Sequence, residues 1–261
     1  MKKHLILQLA ILILPLSAEQ LRRDDIIIVE ITGQDLGLKI HSMQSYHENP
    51  ELRGKFRKAT ADFILAAATK ARFLMLDIWY SDLLGSPVDQ ELIKAISSTK
   101  KITLASAGFY KNKIEPTLRD FREAVPELGH VLLNDREQAV FYVNPVLCAD
   151  GADYNTSPTE CAPERRERHI GLVAAEGFLG KKLKHPTDGS FKFPRHYFRG
   201  FKRITYSKFM QNTDLINDKL VIVVVKPMAN LDMHKITKGK KITGSEILAE
   251  TVLIYANNFS E

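Results

Sequence analysis

Hydrophobic positions along this chain switch repeatedly between two spacings. Ile26-Ile27-Ile28-Val29-Glu30-Ile31 is a β-branched run and predicts a first strand. Arg53 to Lys70 places Phe56, Ala59, Phe63, Ala66 and Ala67 at helical spacing. Phe73-Leu74-Met75-Leu76 is a continuous apolar run that ends in Asp77, which suits a strand covered on both faces. Pro87 to Ile96 opens with proline and has acids in its first turn, so it predicts a helix. Lys101 to Ser106 predicts a third strand. Strand, helix, strand, helix, strand implies right-handed crossovers and a parallel sheet.

The pattern continues less regularly. Lys111 to Pro126 reads as a helical or irregular connector. Gly129 to Asn134 and Ala139 to Asn144 read as short strands, with Asp135 to Gln138 a turn of hairpin length. Arg168 to Leu179 predicts a helix stopped by Gly180, Phe191 to Phe198 a strand interrupted by Pro194, and Thr205 to Met210 a short helix. Lys219 to Val225 is the strongest buried strand, and Gly244 to Asn257 a closing helix with Ile247, Leu248, Val252, Leu253 and Tyr255. The expectation is a single α/β domain over residues 25–257, with a mixed, mostly parallel central sheet flanked by helices.

Charge and the amino terminus change the picture in two ways. The formal net charge is +6, but the densest basic runs, Arg165-Arg166-Glu167-Arg168 and Lys238-Gly239-Lys240-Lys241, are short and lack interleaved aromatics. That argues against nucleic acid as a partner. Met1-Lys2-Lys3-His4, the apolar stretch Leu5 to Leu16, and Ser17-Ala18 resemble a secretory signal peptide over residues 1–18. Leu16 is bulky for its place before the cut, so an uncut anchor is the alternative. Either way the chain is expected in the periplasm or outside the cell. The two cysteines, Cys148 and Cys161, flank a polar, turn-rich loop, and in an exported chain they predict a disulfide. A loop of that size contributes about 3 kcal/mol in the chain-entropy model.

Chemical motifs are sparse. Gly177-Phe178-Leu179-Gly180-Lys181-Lys182 fails as a phosphate loop, because Ala175 stands where its first glycine belongs and Lys182 where a magnesium-binding hydroxyl belongs. His-Glu-x-x-His and Gly-x-Ser-x-Gly are both lacking. His130, His169 and His234 are scattered and read as structural or singly exposed, with no metal and no cofactor implied.

Several short pieces occur in a fixed order: the strand from Asp25 to Ile31, Leu76-Asp77-Ile78-Trp79-Tyr80-Ser81-Asp82, Leu128-Gly129-His130-Val131, Arg199-Gly200, Ile204-Thr205-Tyr206, Lys219 to Val224, and Gly244-Ser245-Glu246-Ile247. Taken together, they resemble the CHASE2 family of extracytoplasmic sensor domains of bacterial receptors, over roughly Asp25 to Asn257. The resemblance implies a sensory, ligand-binding role without catalysis. Thr32, Leu248 and Glu250 depart from the family pattern, which has Asp, His and Asn at these places. The implied polar pocket is therefore expected to be altered or lost.

Ligands of open α/β sheets sit outside the carboxyl ends of the strands. The candidate ligand-binding residues are accordingly Asp77, Asp82, Arg199, Asp232, His234 and Glu246, mostly at strand ends and helix starts. Arg199 suits bidentate recognition of an anion, or an internal ion pair with Asp77 or Glu246. The expected partners are a small ligand of unknown identity and a membrane receptor or other signalling protein on which the chain acts in trans. Two rivals stand beside this: an exported hydrolase using Asp77 and His234 as base and acid, and a structural partner protein with no small-molecule pocket.

Overall fold

The computed structural model describes residues 20–110, 113–131, 134–137, 140–143, 145–148, 162, 166–185, 191–194, 200–228, 233–235 and 241–259. A six-stranded sheet runs through the centre. Its strands are β1 (Ile26–Thr32), β2 (Phe73–Asp77), β3 (Ile102–Ala105), β4 (Glu127–Gly129), β5 (Lys202–Thr205) and β6 (Leu220–Lys226). They lie in the order β5-β1-β6-β2-β3-β4, and every pairing among them is parallel. The domain is thus α/β, as expected, but its central sheet is wholly parallel and not mixed; among the described residues antiparallel pairing is confined to small separate sheets.

The continuous apolar runs have a simple cause. Ile26 and Ile28 of β1, Phe73 and Met75 of β2, and Leu220 and Ile222 of β6 bury into one core layer. Their neighbours Ile27, Val29, Leu74, Leu76, Val221 and Val223 bury into the other. Each strand is covered on both faces, so alternation disappears from the sequence.

Helices α2 (Pro50–Ala67), α3 (Pro87–Ser97), α4 (Arg119–Ala124) and α6 (Tyr206–Gln211) supply the second of these layers, through Phe56, Phe63, Leu92, Phe121 and Phe209. Helices α5 (Ile170–Leu179) and α7 (Gly244–Asn258) supply the first. Moves in one direction across the sheet use one face, and the return from β4 to β5 uses the other. A single crossover hand requires this arrangement. α5 is apolar on nearly every side and is clamped between the sheet and α7. Two glycines permit that closeness. A Cβ at Gly177 would collide with the ring of Phe73, and one at Gly129 with the backbone of Ile170.

Local structure departs from the sequence expectations in several places. Within the expected helical or irregular connector from Lys111 to Pro126, Arg119–Ala124 is helical, but Lys113–Pro116 is a strand that pairs antiparallel with Ala107–Tyr110. The fourth sheet strand ends at Gly129 instead of beginning there, and Asn134–Glu137, expected as largely a turn, is itself the strand that pairs with Val140–Val143. Short α1 (Met43–Glu48) occupies a segment that reads as irregular, through a capping box between Ser42 and Ser45. Val146–Cys148 pairs with Arg166–Arg168. Cys148 is buried at the end of that strand, whereas Cys161 lies outside the described residues. So do residues 1–18. Among the described residues no helix is long and apolar enough to cross a membrane.

Candidate functional site

The carboxyl ends of β1, β6 and β2 diverge. The chain leaves β1 and β2 toward the face of α2 and α3, and leaves β6, which lies between them, toward α7 on the opposite face. Such a reversal opens a crevice at the sheet's carboxyl edge. The chemistry there comes from charged residues that interrupt apolar strands.

Glu30 of β1 is the centre of this network. Its Oε1 accepts from Lys226 Nζ of β6 at 2.6 Å and from Arg203 Nη1 of β5. Arg203 Nη2 donates to Thr243 Oγ1 at 2.6 Å and meets Glu246 Oε2 at 2.9 Å. Thr243 and Glu246 form the capping box of α7, with Glu246 Oε2 accepting from the Thr243 backbone N–H at 3.0 Å. One guanidinium therefore ties two sheet strands to the start of the closing helix. These four charged side chains expose between 14% and 27% of their surface, so they are neither dry nor freely solvated.

A second polar group lies beside it. Asp35, in the loop after β1, accepts from the Thr32 N–H and hydroxyl and from the Ser207 N–H and hydroxyl at the start of α6. Burial pushes the Asp35 carboxyl up, but the hydrogen bonds from Ser207 and Thr32 outweigh it and leave the group below the ordinary carboxylate range. Thr32 thus works with a carboxylate three positions on. Leu248 is buried in the core, and Glu250 is bound by Arg23 at 2.7 Å, under a guanidinium that also covers the Phe201 ring.

The sequence-predicted site residues separate into different environments. Asp77 ends β2 opposite Val224 of β6, half-buried at the crevice. Glu246 belongs to the Arg203 network. His234 is in the antiparallel pair Met233–Lys235 with Lys241–Thr243, opposite Ile242, just before α7. Arg199 and Asp232 lie outside the described residues. Asp82 is elsewhere: it pairs with Arg53 and, at 2.9 Å, with Arg57, whose other nitrogen binds the buried Asp89. Asp89 Oδ2 accepts the Leu84 and Gly85 N–H groups at 2.6 and 3.1 Å. Asp82 is part of a clamp that fixes the loop after β2 against α2 and α3. Glu30, Arg203, Lys226 and Asp35 went unselected by sequence reasoning. The available signal was Glu30 as the one charge inside the first β-branched run.

At the opposite, amino edge, a cleft of about 260 Å³ lies between Phe73, Ile102, Pro126 and Val173. Its carboxylates are already engaged. Arg168 binds Glu127 at 3.1 Å and Glu176 at 2.5 Å, and Lys182 binds Glu176 at 2.9 Å. The cleft also faces the carboxyl-terminal end of α5, whose dipole opposes an anion. No group of three or more His, Cys, Asp or Glu residues suited to a metal occurs among the described residues. No protein-family profile, curated protein or solved structure matches the chain.

Proposed function

We propose that the chain is an extracytoplasmic sensor domain of the kind its sequence resembles, taking a small anionic ligand at the carboxyl edge of the sheet and passing the signal to a membrane signalling protein. The observation that carries this reading is Arg203, which links Glu30 on the sheet to Thr243 and Glu246 at the start of α7. A ligand shifts an equilibrium only by its differential affinity for two states. A carboxylate that replaces Glu246 on Arg203 does this directly, because it frees one corner of the α7 capping box while restoring the charge pair.

The test is ligand-observed NMR with a panel of small carboxylates and amino acids, repeated on Arg203→Gln. Binding by a panel member, lost in the variant and accompanied by shifted amides at residues 243–247, is the expected result. Turnover of a panel compound replaces the sensor with the hydrolase reading. No binding, together with receptor capture by crosslinking in the native membrane, leaves the structural-partner reading. Export and the Cys148–Cys161 bond belong to the same proposal. The mature protein should begin near Glu19, and non-reducing peptide maps should show the linked pair; an intact Met1 or two free thiols in protein from its native compartment contradicts it.

A further inference from the structure

His130 and His169 stand together where β4 leaves the sheet and α5 begins. Both are buried, exposing 1% and 0%, with ring centroids 5.0 Å apart in an edge-on arrangement. Their backbones form an isolated parallel bridge: the His130 N–H donates to Arg168 at 2.9 Å, and the Ile170 N–H donates to His130 at 3.0 Å. The His169 N–H donates to the Pro145 carbonyl at 2.8 Å. The two histidines therefore join the sheet edge, the Val146–Cys148 and Arg166–Arg168 strands, and the first turn of α5.

His169 is also the cap of α5. Its Nδ1 accepts from the Gly171 N–H at 3.1 Å. Only a neutral imidazole accepts a hydrogen bond there; a protonated one presents two donors. The proton of the neutral ring thus sits on Nε2, which is buried with no hydrogen-bond partner among the described residues. Protonation removes the cap, and it places a cation at the positive end of a helix dipole.

The charges around the pair do nothing to welcome that cation. From the Arg166–Arg168 strand comes Arg168, itself positive and bound to Glu127 and Glu176. Glu167 on the same strand is paired with Arg122 at 3.2 Å. From α7 come the Tyr255 ring at 5.7 Å and the Thr251 methyl, which borders the Gly171 contact. From β4 comes His130 itself. Burial first, and His130 second, hold the His169 imidazole well below its ordinary value.

We propose that the bridge of His130 and His169 forms an acid-operated latch: at neutral pH the uncharged His169 cap holds the amino end of α5 on the sheet edge, and acid uncaps it. α5 lies on α7, so its release reaches the helix that Arg203 holds from the other end. The inference stands on the histidine geometry alone and does not depend on the anionic ligand proposed above. An exported chain meets the pH of its surroundings directly, so a proton is a stimulus that such a latch detects.

The sign follows from linkage. The open state binds a proton that the closed state refuses, so opening grows as pH falls below the ordinary histidine value. Ionisation of His169 on opening raises the opening constant about tenfold per pH unit below the ordinary histidine value. The experiment is hydrogen–deuterium exchange on the full chain between pH 7 and 5, corrected for intrinsic exchange. Amides of residues 170–179 are expected to lose protection by up to about tenfold per pH unit, while those of α3 hold. His169→Asn keeps a capping acceptor that does not titrate, and it should flatten the response. Equal pH dependence in wild type and variant, or α3 opening in step with α5, overturns the latch. Imidazole NMR of the wild-type chain tests it without any substitution: a His169 ring that titrates near its ordinary value with α5 still protected overturns it, and a ring that stays neutral until α5 opens supports it.

Discussion

Arg57→Met should unfold this protein more readily than any change to Asp82, although both residues belong to one ion cluster. Arg57 exposes 6% of its side chain and Asp89 3%, whereas Asp82 exposes 40%. Removing the guanidinium leaves the Asp89 carboxylate buried without a counter-charge, a loss of about 3–5 kcal/mol. Two N–H donors from Leu84 and Gly85 remain to it, which places the expected cost at the lower end, about 3 kcal/mol. The guanidinium also lies 5.4 Å from the Tyr80 ring centre and 5.7 Å from that of Phe121, and methionine retains some of that aromatic contact. Asp82→Asn loses a half-solvated pair and should cost about 1 kcal/mol or less. In urea denaturation, with a slope of about 1–3 kcal/mol per M, the Arg57 variant should lower the midpoint by about 1 M or more. Combining Arg57→Met with Asp89→Asn should cost less than the two single changes added, because no buried charge is left. If Arg57→Met stays within about 1 kcal/mol of wild type, or Asp82→Asn costs as much, the clamp is not what fixes this loop.

Gly177→Ala forces a methyl group into the Phe73 ring and should destabilise by about 1–3 kcal/mol, with Phe73→Leu in the same chain recovering part of it; denaturant midpoints of the three variants check this. Glu176 gives a pH prediction. Burial raises its carboxyl, but hydrogen bonds from Leu183, Lys182 and Arg168 outweigh that and leave it below its ordinary value. Its contribution is therefore present above the unfolded-state value and lost as pH falls through the lowered folded one. The stability gap between wild type and Glu176→Gln should be widest near neutrality and close in acid, and a gap constant with pH would refute the assignment.

The sheet was legible because burial on both faces leaves apolar runs that few other arrangements need. Lys219 to Val225 and Phe73 to Leu76 announced central strands and are central. The edge strand Lys202–Thr205 was missed because only Ile204 is buried in it, while Lys202 and Thr205 are exposed. The pair Ala107–Tyr110 with Lys113–Pro116 went unread because strands this short depend on pairing, which leaves no period to detect. At the candidate site, Asp77 and Glu246 were placed by the rule that strand ends and helix starts carry function. Arg203 and Lys226 were not, since their meaning lies in Glu30, which is remote in sequence and adjacent in space. Asp82 looked equivalent to Asp77, and only the position of Arg57 on α2 separates them.

The position of β6 has a consequence for how the chain is assembled. The last strand of the central sheet in chain order lies between β1 and β2, and the other neighbour of β1, β5, begins only at Lys202. Until then the first strand has no hydrogen-bonding partner in the central sheet, and its apolar surface waits through most of synthesis. Long-range parallel pairing of this kind is intrinsically slow, and it leaves strand edges open to wrong partners. A chain made only as far as β5 holds two part-sheets, β5-β1 and β2-β3-β4, with no strand to join them, so the central sheet closes only once β6 is made.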